Sequence, residues 1–418
     1  MISSLSVTKK RILKNIFSLS ILQGGNYILP LITIPYLLRV IGIDYFGLLA
    51  FANAIVVYFL IFSDYGFNLS ATNHIAVNKE NRSRVNDIFC SVLLIKLTIA
   101  SIGFLILLLM TYLIPKLSFH REIYLYTYGL VFGQVLIPLW LFQGMEKMKY
   151  MTIFNLLAKV TATVSIFIFI KTTEDFFLVP ILTASGYMLA GIISLYCSIK
   201  EFGLSFYLPS KKMLEDQILD GWYVFISRVV VTLYSTTNTV VLGFLTSNNI
   251  VGYYNLAEKI IGAISGLFAP VTQAVYPYMS NLYKENKIKF ARIFKTITCS
   301  YVFIASILAC CLYFFRDYII FLIAGSKNNS VSELCAILCI YLIICPLGSL
   351  FTQTFIIKNR MNFFIRILQL TFLTNILLVF PMIYYYKAIG LAYTVILVQM
   401  VHNILNLKYY LRSCSDDL

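Results

Sequence analysis

The sequence predicts an all-α polytopic membrane protein: twelve transmembrane helices in two pseudo-symmetric six-helix lobes around a central cavity. Three observations carry that expectation. Hydrophobic residues fill 60% of the 418 positions and charged residues only 12%, with a mean hydropathy of +0.83, far from an average soluble domain. Apolar runs of about 20 residues, each long enough to cross ~30 Å of hydrocarbon as a helix, recur along the whole length. Short loops join them, with the longest inner one at the midpoint of the chain.

Taken in order, the spans fall at 15–38, 45–70, 88–114, 123–144, 151–171, 177–199, 218–245, 251–280, 293–315, 331–357, 363–383 and 388–407. The first follows Lys9, Lys10, Arg11 and Lys14. Its apolar run is too long for a signal peptide and lacks an A-x-A-like cleavage site, so it is expected to be retained with its N-terminus inside. An even number of spans puts both termini on that side. Inner segments then hold 21 Lys or Arg and outer ones seven, the positive-inside bias, which accounts for most of the net charge of +15 without nucleic acid as a partner.

The first span carries Gln23, Asn26, Tyr27, Pro30 and Thr33 at i, i+3, i+4, i+7 and i+10, one stripe of a 3.6-residue helix. Such a stripe either glues helices together or lines a cavity. Pro30 and Pro35 each remove a backbone hydrogen bond and permit a kink, while Gly24 and Gly25 allow close approach at a lobe interface. The second span contains Asn53 and, near its inner end, Asp64, which reads either as a solvated terminus or as a proton-responsive carboxylate. Lys96 on the third and Lys159 on the fifth lie about eight residues from the inner helix ends, ~12 Å deep, where each either snorkels inward or faces a cavity.

The inner segment 200–217 reads as a linker between lobes 1–207 and 208–418. Across it the outer hairpin Ile43 to Ile55 is echoed by Asn248 to Ile260, with Gly47 and Gly252, Ala52 and Ala257, and Ile55 and Ile260 all 205 positions apart. A duplication of six spans gives parallel repeats about an axis along the membrane normal, which enclose a cleft. The seventh span carries Arg228, Thr232, Ser235 and Thr239 on one face with Asn238 beside them, and the eighth carries Asn255, Glu258, Lys259, Gly262 and Gly266. A guanidinium within a span is costly and faces a partner or a water-filled cavity. With Arg228, Lys259, Lys96 and Lys159 opposed only by Glu258 and Asp64, the central cavity is net positive. It suits an anion.

Several chemistries find no support. There is no Walker motif or Gly-rich phosphate loop for ATP hydrolysis. His74, His120 and His402 lie far apart, and the nine cysteines lack the spacing of a disulfide or zinc framework. No Ser/His/Asp arrangement presents itself, and the outer loops are too short for an active-site domain. Neither a cofactor nor a metal is expected, and the chain does not read as an enzyme.

Leu29-Pro30-Leu-Ile-Thr-Ile-Pro35-Tyr-Leu-Leu-Arg39-Val-Ile-Gly42-Ile-Asp-Tyr-Phe-Gly47 resembles the start of Wzx-type O-antigen and polysaccharide flippases of the MOP exporter superfamily. Asp64-Tyr-Gly66-Phe-Asn68 and Leu233-Tyr-Ser-Thr-Thr-Asn238-Thr-Val-Val-Leu-Gly243 share that likeness. The resemblance implies a MATE-like fold and translocation of an undecaprenyl-diphosphate-linked oligosaccharide from the cytoplasmic to the periplasmic leaflet of a bacterial inner membrane. It implies alternating access coupled to an ion gradient, and as partners the bilayer, the polysaccharide polymerase and the chain-length regulator. Arg228, Lys259, Lys96 and Lys159 would then hold phosphate, and Gln23, Asn26, Tyr27, Asn53, Ser235 and Asn238 the glycan, with Asp64 and Glu258 as ion-coupling carboxylates. The alternatives are a multidrug or lipid exporter of the same superfamily and, in another class, a membrane polysaccharide polymerase.

Overall fold

The computed structural model describes the backbone of residues 2–415, and their side chains except at 2–24, 26–28, 230–235, 270, 274 and 413–415. Among the described residues there are helices and no strands. In chain order they are α1 (Ile2–Asp64), α2 (Ser70–Asn78), α3 (Arg82–Leu113), α4 (Pro115–Ser118), α5 (Arg121–Val135), α6 (Leu139–Gly144) and α7 (Met148–Phe169). A 3-10 turn (Thr173–Phe177) leads into α8 (Leu178–Phe202), followed by α9 (Lys211–Leu245), α10 (Asn248–Ser265) and α11 (Phe268–Glu285). The last three are α12 (Lys287–Ala324), α13 (Asn329–Ile357) and α14 (Met361–Ser415).

Among the described residues, eight stretches are long and apolar enough to cross a bilayer, which makes the chain a multi-pass membrane protein. Two of these, Leu29–Asp64 and Met361–Arg412, hold 36 and 52 residues, or ~54 and ~78 Å at 1.5 Å per residue. Neither crosses once as a straight rod. Each is interrupted by a single residue off helical dihedrals, Gly42 (φ 77°, ψ 172°) and Lys387 (φ 51°, ψ −129°), at the outer turns that the hydropathy pattern places between adjacent spans. The break in α1 therefore falls at Gly42 rather than at Pro30 or Pro35, which lie within the helix. The expected seventh span runs along α9, and the expected eighth is divided between α10 and α11.

The chain divides into two compact units, one of Met1–Gly42 with Leu49–Thr236, the other of Ile43–Leu48 with Thr237–Leu418. In the first, Gly129 and Gly133 give α5 a GxxxG face, and α8 packs on it so closely that a Cβ at Gly133 would fall 2.7 Å from the Tyr187 Cβ. Ile137, Phe142, Phe154, Ala158 and Ala190 form the adjoining core. Gly25 of α1 lies against Leu156 of α7, so its close approach is made inside this unit.

The linker after α8 is tied to the start of α3. Arg82 donates to the carbonyl of Gly203, Asn86 accepts from the Ser205 amide at 2.9 Å, and the Tyr207 hydroxyl donates to Asp87. Burial, aided by the Asp87 carboxylate, pushes Tyr207 up to about 12. These ties fix where α9 begins, and α9 carries Arg228.

The second unit is built on an aromatic core of Phe268, Phe290, Phe294, Tyr301, Phe351 and Phe355. Residues 43–48 belong to it and lie against the start of α10. A Cβ at Gly47 would fall 1.9 Å from the Asn248 carbonyl oxygen, and one at Gly252 2.4 Å from the Ile43 carbonyl oxygen. The two glycines 205 positions apart in sequence thus face each other, backbone against backbone.

Candidate functional site

The first unit contains a polar cavity whose geometry begins with a helix break. Tyr65 (φ 47°) and Gly66 (φ 78°) take left-handed backbone conformations, which ends α1 at Asp64. Glycine is required at 66 on two counts, since a Cβ there would also fall 2.7 Å from Val224 Cγ1 of α9. The Tyr65 ring stacks on Phe225 at 4.7 Å, docking the break onto α9. After the break the chain turns so that Asn68 Nδ2 donates to Asp64 Oδ1 at 2.7 Å.

Opposite stands Lys96 of α3, whose Nζ lies 3.3 Å from the same Asp64 oxygen. The two side chains are 6% and 17% exposed, respectively, so this is a pair largely removed from solvent. Around it opens a cavity of about 190 Å³ lined by Ser63, Asp64, Asn68, Lys96, Gln134 of α5 and Arg228 of α9, with apolar residues between them. Among these lining residues Arg228 is exposed. Ser63 Oγ and Asn68 Oδ1 are buried without a hydrogen-bond partner, a cost that an incoming donor or acceptor would relieve.

One carboxylate against an ammonium and a guanidinium leaves the cavity with one surplus positive charge. The volume is below the roughly 300–1,000 Å³ of sites that enclose a drug-sized ligand.

The structure brings together three residues that the sequence marks separately, Asp64, Lys96 and Arg228. The others lie elsewhere. Lys159 is half-buried on α7 and is not among the residues lining this cavity. Asn53 is exposed, and its Nδ2 donates to the Leu49 carbonyl one turn back at 3.0 Å. In the second unit Asn238 is buried with its Oδ1 unpartnered, whereas Glu258 and Lys259 are both exposed on α10. The side chains of Gln23, Asn26, Tyr27 and Ser235 lie outside the described residues.

From the first-span stripe, Thr33 contacts Thr163 Oγ1 at 3.4 Å, and nearby Tyr36 donates to the Ile170 carbonyl. Both tie α1 to α7. Helix-to-helix glue accounts for that end of the stripe.

Two cavity residues escape the sequence reading, Ser63 and Gln134. Gln134 left a signal, an amide inside the apolar run of the fourth span. The second unit holds a further polar seam in which Asn403 donates to the Ile344 carbonyl at 2.7 Å and His402 Nδ1 lies 3.3 Å from Thr371 Oγ1. Asn375 and Asn406 are buried with unpartnered atoms in their own amides. Among the described residues, no group of three His, Cys, Asp or Glu side chains is placed to hold a metal ion.

Known proteins share both the sequence and the fold. Residues 12–283 match the family model described as "Polysaccharide biosynthesis protein". A curated protein of Escherichia coli (strain K12) named "Putative O-antigen transporter" is 32% identical over 400 residues, covering 94% of this chain and 95% of its own. Among solved structures, the lipid II flippase MurJ in an inward closed conformation superposes with a TM-score of 0.76 at 15% identity, over 94% of this chain and 87% of that one. An inward-facing multidrug resistance MATE family transporter of the MOP superfamily gives a TM-score of 0.72 at 15% identity, over 96% and 98%. At that identity the structural likeness concerns the fold.

Proposed function

The chain belongs to the family of polysaccharide biosynthesis proteins, and from that premise we propose that it flips an undecaprenyl-diphosphate-linked oligosaccharide of the O-antigen type. The head would move from the cytoplasmic to the periplasmic leaflet of a bacterial inner membrane, with both termini of the chain cytoplasmic. The observation that carries this reading is the cavity lined by Asp64, Lys96 and Arg228, which sets two basic groups against one carboxylate.

Lys96 and Arg228 hold the phosphates, with Lys259 and Lys159 as further basic contacts along the path. The sugars meet amides, hydroxyls and aromatic faces outside that cavity, from Gln23, Asn26, Tyr27, Asn53, Ser235 and Asn238. The tail of ~55 carbons stays in lipid, since burying it in protein would gain nothing over the bilayer. Lobes 1–207 and 208–418 rock to expose the head first inside and then outside, and Asp64 and Glu258 couple the motion to an ion gradient. No bond is made or broken.

Deletion of the gene is expected to abolish surface polysaccharide and to trap lipid-linked repeat units in the cytoplasmic leaflet. Arg228→Ala and Lys259→Ala should each lower surface polysaccharide severalfold at normal protein abundance. Units accumulating on the periplasmic face would instead indicate a polymerase. Unchanged glycan with lost drug resistance would indicate a multidrug exporter.

A further inference from the structure

Basic residues crowd one end of the second unit, where the α11–α12 turn, the α13–α14 turn and the last turns of α14 come together. Aromatic contacts gather these ends, with ring centroids 5.0 Å apart for Phe294 and Tyr410, 5.0 Å for Phe363 and Tyr409 and 5.1 Å for Tyr283 and Phe290. Residues 284–295, 358–366 and 408–412 hold ten Lys or Arg and one acidic residue, Glu285. The turns of the first unit at 79–87, 146–149 and 200–220 hold eight against seven, leaving aside Lys9 to Lys14, whose side chains lie outside the described residues. There the charges answer each other, as in Lys79 with Glu146 at 3.5 Å, Lys147 with Glu201 at 2.9 Å and Lys211 with Glu215 at 3.5 Å. Orientation during insertion counts Lys and Arg and is nearly indifferent to Asp and Glu. It explains basic residues at both sets of turns, but not the scarcity of acids at one.

One of the ten cations is committed to the fold. Lys358, 9% exposed, lies 4.9 Å from the Tyr410 ring centroid and 5.8 Å from that of Tyr283, a cation–π clamp at the C-terminus of α13. Others lie on outward faces. Arg366 is exposed on the face of α14 that carries exposed Leu370, Leu373 and Leu377 at i+4, i+7 and i+11. Lys408 is exposed between Ile404 and Leu411, both exposed, and Arg292 and Lys295 share an exposed face of α12 with Phe303. Large apolar side chains exposed along membrane-length helices meet acyl chains, so a cation at the end of such a stripe lies where the chains stop and the phosphates begin. Among the described residues none of these four forms an ion pair. A soluble acidic protein would have to reach cations set among lipid-facing side chains; a headgroup is already there.

We propose that this end of the second unit is a binding surface for anionic phospholipid, with Arg292, Lys295, Arg366 and Lys408 taking the headgroup phosphates of the leaflet it faces. The proposal needs only the chain's place in a bilayer and is independent of the glycan reading, so its failure leaves the cavity of the first unit as it stands. Its consequence is that the second unit carries the protein's dependence on anionic lipid, because headgroups neutralise like charges that otherwise repel one another across α12 and α14.

The test offers the full-length protein, purified in detergent, dioleoyl phosphatidylglycerol or dioleoyl phosphatidylcholine, identical in chain and different in charge. Native mass spectrometry reads bound lipid, and thermal melting reads stabilisation. Wild type should retain at least about fivefold more phosphatidylglycerol than phosphatidylcholine and should melt higher with it. Combining Arg292→Gln, Lys295→Gln, Arg366→Gln and Lys408→Gln should remove that preference. Combining Lys149→Gln, Lys200→Gln, Lys211→Gln and Lys212→Gln, which takes as many charges from the first unit, should keep it.

Equal retention of the two lipids by wild type, or a preference that survives the second-unit changes, would overturn the assignment. Melting raised as much by inorganic phosphate as by phosphatidylglycerol would mark a site for a soluble anion and overturn it likewise. Should the second-unit variant fail to fold, a photoreactive phosphatidylglycerol on wild type decides the matter. Cross-links concentrated in 284–295, 358–366 and 408–412 support the surface, and cross-links shared evenly with the turns of the first unit refute it.

Discussion

At the scale of single residues, the position of Asp64 turns on two backbone angles. A left-handed Tyr65 followed by Gly66 ends the helix where a carboxylate can reach a lysine 32 positions away. The pair is worth more through what its loss would leave behind than through its own attraction, because a buried charge stripped of its partner is penalised while a removed pair is nearly neutral. Lys96→Ala should therefore lower stability by about 3 kcal/mol, and the double variant Lys96→Ala with Asp64→Asn should recover most of it. Thermal melting of the purified protein checks this. Equal melting of the single and double variants would mean that Asp64 finds its stabilisation elsewhere.

Among helices, close backbone approach does the specifying. Without a hydrophobic driving force between helices in lipid, van der Waals packing through small residues decides which faces meet. Gly47 and Gly252 are the sharpest instance, with carbonyl oxygens lying where a Cβ would stand. Gly47→Val and Gly252→Val should each reduce the amount of folded protein in the membrane several-fold, since the blocking atoms are backbone and cannot swing aside. Gly262, where a Cβ would meet no atom within 4 Å, supplies the control: Gly262→Ala should leave folded protein at wild-type levels. Quantitative immunoblotting of membrane fractions compares the three.

For the whole molecule, the charge distribution makes a prediction about sidedness. The segments expected inside hold three times as many basic residues as those expected outside, and such a bias orients a membrane protein as it inserts. In a cysteine-free background, single cysteines placed at Lys79 and Lys212 should resist a membrane-impermeant maleimide in intact cells, and one placed at Lys327 should react. The reverse pattern would invert the proposed direction of transport.

The sequence by itself determined the class of molecule and its repeated crossings, because hydropathy is summed over local windows and needs no partner. It also marked Asp64, Lys96 and Arg228, since ionisable groups within apolar runs stand out one by one. That the three line one cavity was decided by tertiary structure, through a break at Tyr65–Gly66 and the docking of α9 on it. So was the contact between Asp64 and Lys96, which joins a residue read as ion-coupling to one read as phosphate-binding. The 205-residue spacing of Gly47 and Gly252 was legible, but not that the two glycines meet, nor that residues 43–48 belong with the second half of the chain. Local patterns carry the energy of inserting a segment into lipid; which segments then touch depends on shape complementarity between distant helices, and that is written only in three dimensions.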